Sequence, residues 1–135
     1  MTKIKATYLG DLHVEAIHLQ SGSRIETDAP VDNQGKGELF SPTDMFATSL
    51  AACMMTIMGI SARSYGFALE GAYAEVEKIM ASSPRRVGEI IIDLYFPDGK
   101  TYGDREKRII EAAAATCPVA NSVHPALKKT VRFHY

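Results

Sequence analysis

Two cysteines, Cys53 and Cys117, are the residues of this sequence whose type most directly suggests chemistry. A thiolate can attack an electrophile, bind a metal or exchange with a disulfide, whereas a buried thiol serves as a small apolar side chain. The two cysteines lie far apart in sequence and form no C-x-x-C pair, so neither a zinc knuckle nor a local dithiol is indicated. The residues alone leave both the reactive and the packing roles open.

The local settings of the two cysteines differ. Cys117 directly precedes Pro118, which is typical of a helix N-cap, where free amides and the helix dipole favour a thiolate. Cys53 lies inside a long apolar segment, where burial disfavours the charged form. A reactive Cys53 therefore requires a cation or hydrogen-bond donors from elsewhere in the fold.

Other catalytic and metal-binding patterns are absent from the sequence. There is no G-x-S-x-G nucleophile motif, no G-x-x-x-x-G-K-[ST] phosphate loop and no H-E-x-x-H spacing. We therefore predict no metal site and no cofactor. The four histidines, His13, His18, His124 and His134, are interpreted as surface or partly buried structural residues. Four charged residues are interpreted as surface residues: Arg24, Glu26, Asp28 and Asp44.

Composition excludes several classes of protein. The chain has 135 residues and a formal net charge of -1, from 15 basic and 16 acidic residues. This balance disfavours binding to nucleic acid or to an anionic membrane surface. The length is that of one domain, predicted over residues 1–135. Two cysteines are too few for a disulfide scaffold and no signal-peptide pattern opens the chain, so we expect a cytoplasmic protein.

Hydrophobic periodicity predicts the elements that position the cysteines. Alternating residues predict strands separated by glycine- and proline-bearing turns, and two later segments read as helices. The predicted order is three strands, a helix, two strands, two helices and a strand, an α+β fold with antiparallel hairpins. The predicted strands are Lys3–Leu9, Leu12–Leu19, Arg24–Asp28, Leu69–Met80, Val87–Phe96 and Thr130–Phe133; the later helices are Asp104–Thr116, capped by Asp104, and a short piece starting at Pro118.

The central helix has the clearest signal. Ser41 is a typical N-cap, Pro42 fits the first helical position and Asp44 the third, immediately before the apolar run Met45–Ile60. The run is shorter than a membrane span, so we predict a core helix buried on nearly all sides. One 135-residue chain does not easily cover such a helix, which favours a homodimer.

The neighbourhoods of the two cysteines, with the order of elements, resemble the OsmC/Ohr family of hydroperoxide-handling proteins. The resemblance covers nearly the whole chain and is closest to a less characterised branch of the family. It is carried by four segments: Ser41-Pro42-Thr43-Asp44, Ser49-Leu50-Ala51-Ala52-Cys53-Met54, Cys117-Pro118-Val119-Ala120 and Thr27-Asp28-Ala29-Pro30.

The resemblance implies an OsmC-like fold, an intertwined homodimer and a thiol peroxidase that acts in stress defence. Cys53 would attack an organic hydroperoxide, Cys117 would resolve the resulting sulfenic acid, and a thiol reductant would reopen the disulfide. An apolar pocket around Cys53 would bury the alkyl tail of the substrate. The residues assigned to that pocket are Phe46, Leu50, Met54 and Ile57.

Two positions depart from the pattern of the family's peroxidases. Those proteins usually carry an arginine near the first hairpin turn, where this chain has Leu9-Gly10-Asp11, and a glutamate after the proline that opens the central helix, where it has Thr43. The nearest candidates for activating Cys53 are Arg24 and Asp44. The alternative function is a noncatalytic module of the same fold that binds a small apolar or acyl ligand at the dimer interface.

Overall fold

The computed structural model describes residues 1–135, which form two compact units, Met1–Met45 and Phe46–Tyr135. The α+β class and the order of elements are confirmed. The interpretation of the chain as a single domain stays a prediction.

The first unit contains an antiparallel sheet in the order β1-β2-β3. The strands are β1 (Ile4–Gly10), β2 (His13–His18) and β3 (Arg24–Thr27), close to their predicted bounds. The β1–β2 hairpin turns at Asp11 and Leu12, which both have positive φ angles, as a tight hairpin turn requires. A single 3₁₀ turn, Val31–Asn33, follows β3.

The start of the central helix is confirmed in detail. Helix α1 spans Pro42–Tyr65. The Ser41 hydroxyl accepts a hydrogen bond from the Asp44 amide at 3.0 Å, and the Asp44 carboxylate accepts one from the Ser41 amide at 2.9 Å. This reciprocal pair is a capping box, and it explains why the helix begins where the sequence predicts.

Two expectations about α1 are wrong. With 24 residues, the helix is long and apolar enough to cross a membrane, so its length does not distinguish a core helix from a membrane-spanning helix. The helix is also not buried all round in the single chain: Ile60 is 56% exposed. Apolar residues occupy most sides of the helix, but only one face of it is buried. That face consists of Ala47, Leu50, Ala51, Met54, Met58 and Ala62.

The second unit contains a mixed sheet in the order β4-β5-β6. Strands β4 (Tyr73–Ala81) and β5 (Arg86–Tyr95) form the predicted antiparallel hairpin, whereas β6 (Lys128–His134) pairs parallel to β5. Strand β4 starts four residues later than predicted, because the Ala72 amide bonds to the Leu69 carbonyl in a turn. Alternate residues of the central strand β5 are fully buried, namely Ile90, Ile92 and Leu94.

Helices α2 (Asp104–Ala114) and α3 (Pro118–Ser122) complete this unit. Gly103, not Asp104, occupies the N-cap of α2, and Asp104 lies in the first turn, where its negative charge favours the helix dipole. The buried residues of α2, Ile110, Ala113 and Ala114, belong to the same core as the buried faces of α1 and β5. Cys117 is part of that core as well.

A charged cluster ties β6 to β5. Arg132 donates two hydrogen bonds to the Asp93 carboxylate, at 2.7 and 2.8 Å, and His134 Nε2 lies 2.7 Å from the same carboxylate. These bonds, those of Arg132 first, hold the pKa of Asp93 at about 2, below its ordinary value of 3.8. The depressed pKa means that folding favours the ionised carboxylate.

We therefore expect Asp93 to contribute stability at neutral pH that is lost as the pH falls from about 4 to about 2. Asp93→Asn would lower the free energy of unfolding at pH 7 and flatten its decline over that acid range. Urea unfolding at several pH values measures both effects. The control is Asp98→Asn in an exposed turn; an unchanged acid profile in Asp93→Asn would show that the cluster is energetically neutral.

Candidate active site

The second unit brings the two predicted site cysteines together. Cys53 lies near the middle of α1, is partly buried and packs against the core. Cys117 lies between α2 and α3 and is fully buried. Both thiols are free, and the two side chains lie close enough to interact with each other. Residues 64 positions apart in sequence thus form one dithiol site.

Cys117 is the N-cap of α3, as predicted from its position before Pro118. Its Sγ accepts a hydrogen bond from the Ala120 amide at 3.2 Å. The expectation that this position favours a thiolate is wrong in its net effect. Burial raises the pKa of the Cys117 thiol above its ordinary value, and the contact with Cys53 adds to the increase, against the opposing amide bonds of Ala120 and Val119. Cys117 is therefore a protonated, shielded thiol at neutral pH.

This difference in burial predicts an order of modification. With iodoacetamide at neutral pH, we expect Cys53 to be alkylated at least about tenfold faster than Cys117, because Cys117 is inaccessible and disfavours the thiolate that alkylation requires. Peptide mass spectrometry over time gives the two rates. Cys53→Ser supplies the rate of Cys117 alone, and faster labelling of Cys117 in the unmodified chain would contradict this assignment.

The four residues assigned to the apolar pocket have different environments. Leu50 and Met54 are buried in the core, Ile57 packs against it, and Phe46 is exposed. Met54 also lines a cavity of about 300 Å³ whose other walls come from α2, α3 and β6. Their side chains are mostly apolar, with one charged group from each of α2 and β6: Glu111, Ala114, Ala115, Ala120, Lys129, Val131 and Phe133.

Apart from Met54, these cavity walls were not predicted from the sequence. Ala120 belongs to the same short helix that Cys117 caps, so the cavity adjoins the element that positions the buried thiol. The small residues of the Ala112–Ala115 run were the available signal, because alanines leave room for a ligand where larger side chains would fill it. Their role depends on packing against β6, which lies a dozen or more residues later and pairs with β5.

The two residues proposed to activate Cys53 have identified partners in the first unit. Arg24, on β3, forms an ion pair with Glu15 on β2. Asp44 takes part in the capping box of α1. A role for either residue toward Cys53 stays a prediction.

The chain is similar in sequence and in fold to known proteins. The model of the OsmC family, described as OsmC-like protein, matches residues 35–132. No curated protein matches the sequence. Among solved structures, the chain is similar to a protein of Psychrobacter arcticus 273-4 assigned provisionally to osmotic stress induction and detoxification, with 54% identity, a TM-score of 0.93, and coverage of 99% of this chain and 96% of that one.

More distant structures share the fold. An OsmC-like protein from Mycoplasma pneumoniae is 20% identical with a TM-score of 0.80, covering 99% of this chain and 96% of that one. The organic hydroperoxide resistance protein OsmC of Legionella pneumophila is 18% identical with a TM-score of 0.74, covering 100% and 97%. The resemblance identified from the cysteine neighbourhoods is confirmed, and the chain belongs to the OsmC-like protein family.

Proposed function

We propose that this protein is a peroxiredoxin-like thiol peroxidase that reduces organic hydroperoxides. The observation that carries the proposal is the neighbouring pair of free thiols, one partly exposed and one buried, in a chain of the OsmC-like family. Family membership supports it further, since structures of the same fold include proteins named for organic hydroperoxide resistance.

The proposed reaction has two covalent steps. The Cys53 thiolate attacks one oxygen of ROOH, the O–O bond breaks, and the alkoxide takes up a proton to leave as ROH. Cys53 is then a sulfenic acid, oxidised by two electrons. The Cys117 sulfur attacks the Cys53 sulfur, water leaves, and a disulfide forms. A dithiol reductant restores both thiols by exchange.

The contact between the thiols supports this division of roles. A resolving thiol must lie beside the sulfenic acid, but it need not be a thiolate before the sulfenic acid has formed. The raised pKa of Cys117 suits that role. The partly exposed Cys53 is the thiol that a peroxide can reach. The cavity beside α3 offers apolar walls for an alkyl group, which favours organic hydroperoxides over hydrogen peroxide.

The proposal includes a homodimer, in the cytoplasm, that serves in oxidative and osmotic stress defence. In the single chain, large apolar side chains are exposed on α1, at Ile60 and Tyr65, and on the first sheet, at Ile4 and Ile25. A partner subunit is the simplest cover for these surfaces. Light scattering would give the mass of a dimer, and a monomer at micromolar concentration would contradict this part of the proposal.

Steady-state turnover tests the proposed substrate class. With a dithiol reductant, the protein should consume cumene or t-butyl hydroperoxide with a higher kcat/KM than hydrogen peroxide, because only the former bury an alkyl or aryl group. Equal kcat/KM values for the three peroxides would show that the cavity does not bind the organic part of the substrate. No turnover with any of them would contradict the peroxidase function.

The alternative is a noncatalytic module that binds a small apolar or acyl ligand. The cavity of about 300 Å³, with mostly apolar walls, is the observation in its favour. Native mass spectrometry of the purified protein distinguishes the two: a copurified ligand with thiols that do not react with hydroperoxide supports the module, and an empty, peroxide-reactive protein supports the enzyme.

A further inference from the structure

Three metal-ligating side chains meet in the first unit, outside the dithiol site. They are His13 at the start of β2, Asp28 just after β3, and Glu38 in the loop before α1. We call them the His13 cluster. One ligand atom from each lies within 4.8 Å of the others.

The fold places these residues together by register and by loop closure. Val14 on β2 pairs with Thr27 on β3, so His13 and Asp28 continue the same antiparallel ladder. The Glu38 amide then donates to the Asp28 carboxylate at 3.1 Å, which fixes the loop beside the strand end.

The loop packs closely enough to require glycine. A Cβ at Gly35 would lie 1.7 Å from the Ala29 carbonyl oxygen, and the Gly37 amide donates to that oxygen at 3.3 Å. The approach of Gly35 to Ala29 is therefore available only to glycine. It holds Glu38 at the cluster.

The prediction that Asp28 is an ordinary surface acid is wrong, because this residue is only 1% exposed. One oxygen of the Asp28 carboxylate accepts the Glu38 amide hydrogen bond, and the other faces His13. A buried carboxylate needs positive charge or donors to offset the loss of water.

The imidazole of His13 lies among three carboxylates, with Glu26 near one ring nitrogen and the two cluster members Asp28 and Glu38 near the other. Its Nδ1 lies 3.3 Å from the Glu26 carboxylate, and its Nε2 lies 3.3 Å from Asp28 Oδ1 and 4.0 Å from Glu38 Oε2. Nε2 is buried and has no hydrogen-bond partner of acceptable geometry. An Nδ1–H held by Glu26 leaves the Nε2 lone pair directed into the cluster, an arrangement found behind metal-bound histidines.

The spacing of the donors fits a small divalent cation. Ligands at about 2.0–2.1 Å from a tetrahedral zinc ion lie about 3.3–3.4 Å apart, which matches the 3.3 Å between His13 Nε2 and Asp28 Oδ1. Glu38 is 55% exposed at its side chain, so it can close the slightly longer gap. Its exposure also leaves a coordination position open to water.

We propose that His13, Asp28 and Glu38 bind one Zn²⁺ ion, with Glu26 orienting His13. The ion joins the start of β2, the end of β3 and the loop that precedes α1. It balances the buried Asp28 carboxylate and supplies the missing partner of Nε2. The donor set of one imidazole and two carboxylates suits zinc better than Mg²⁺ or Ca²⁺, which prefer oxygen ligands alone.

The test is zinc titration of the chelator-treated, full-length Cys53→Ser/Cys117→Ser protein, in which the dithiol cannot bind the metal. Competition with a chromophoric chelator should give one Zn²⁺ per chain. His13→Ala should weaken binding more than about a hundredfold, and the exposed Glu38→Gln should also weaken it. Glu26→Gln should weaken it about 10–100-fold, the usual effect of losing a carboxylate that orients a ligand.

His18→Ala is the matched control, because His18 lies on the same strand and bonds to Ser21 instead. Its zinc affinity should equal that of the parent. Circular dichroism verifies that each variant folds, and the ¹⁵N resonances of the imidazoles report directly on His13, with zinc shifting its Nε2 signal. The proposal would be overturned if the cysteine-free protein bound no zinc, or if His13→Ala and Glu38→Gln bound zinc with the same affinity as the parent.

Discussion

Cys53→Ser is expected to reduce hydroperoxide turnover by at least about a thousandfold, to the uncatalysed background. The serine hydroxyl cannot form a sulfenic acid, so the substitution removes the covalent step itself and not merely its stabilisation. The measurement is the rate of cumene hydroperoxide loss in the presence of a dithiol. Ser122→Ala, at an exposed position in α3, is the control and should retain the parental rate.

Cys117→Ser should behave differently from Cys53→Ser. The first equivalent of hydroperoxide is still reduced, but the Cys53 sulfenic acid then has no neighbouring thiol and accumulates or oxidises further to sulfinic acid. Dimedone labelling followed by mass spectrometry detects the Cys53 sulfenic acid.

Turnover in Cys53→Ser that equals the parental rate would exclude Cys53 as the peroxidatic residue.

Ile92→Ala is expected to have the largest effect on stability, about 2–5 kcal/mol. Ile92 lies in the middle of the central strand β5, is fully buried, and belongs to the core that also contains Cys117. Removing three carbons there loses apolar burial and leaves a cavity between packed elements. Chemical denaturation measures the change in the free energy of unfolding.

Ile79→Ala on the neighbouring strand β4 is the matched control for Ile92→Ala. Ile79 is 40% exposed, so the same chemical change should cost about 1 kcal/mol or less. Similar losses in both variants would mean that the core does not lie where the structure places it.

Local signals account for what the sequence predicted about the fold. The capping box of Ser41 and Asp44, the hairpin turn at Gly10, and the proline after Cys117 each act within a few residues. Features that depend on distant contacts were not predictable in the same way. Burial was predicted on nearly all sides of α1 because most of them are apolar, whereas tertiary packing buries only one face. The parallel pairing of β6 with β5 depends on tertiary packing as well.

The same distinction applies to the candidate site. Residue type and the flanking residues identified Cys53 and Cys117. The net rise in the pKa of Cys117 depends on burial by the whole core, which outweighs the local N-cap. The His13 cluster is invisible in sequence because its members come from a strand start, a strand end and a loop, without a ligand motif.

The most direct test of the central claim is the mass of the reduced protein after one equivalent of cumene hydroperoxide under anaerobic conditions. The account predicts the stoichiometric formation of cumyl alcohol and the loss of two hydrogen atoms per chain, with peptide mapping locating a disulfide between Cys53 and Cys117. A chain that keeps both thiols while the hydroperoxide persists would contradict the proposed peroxidase.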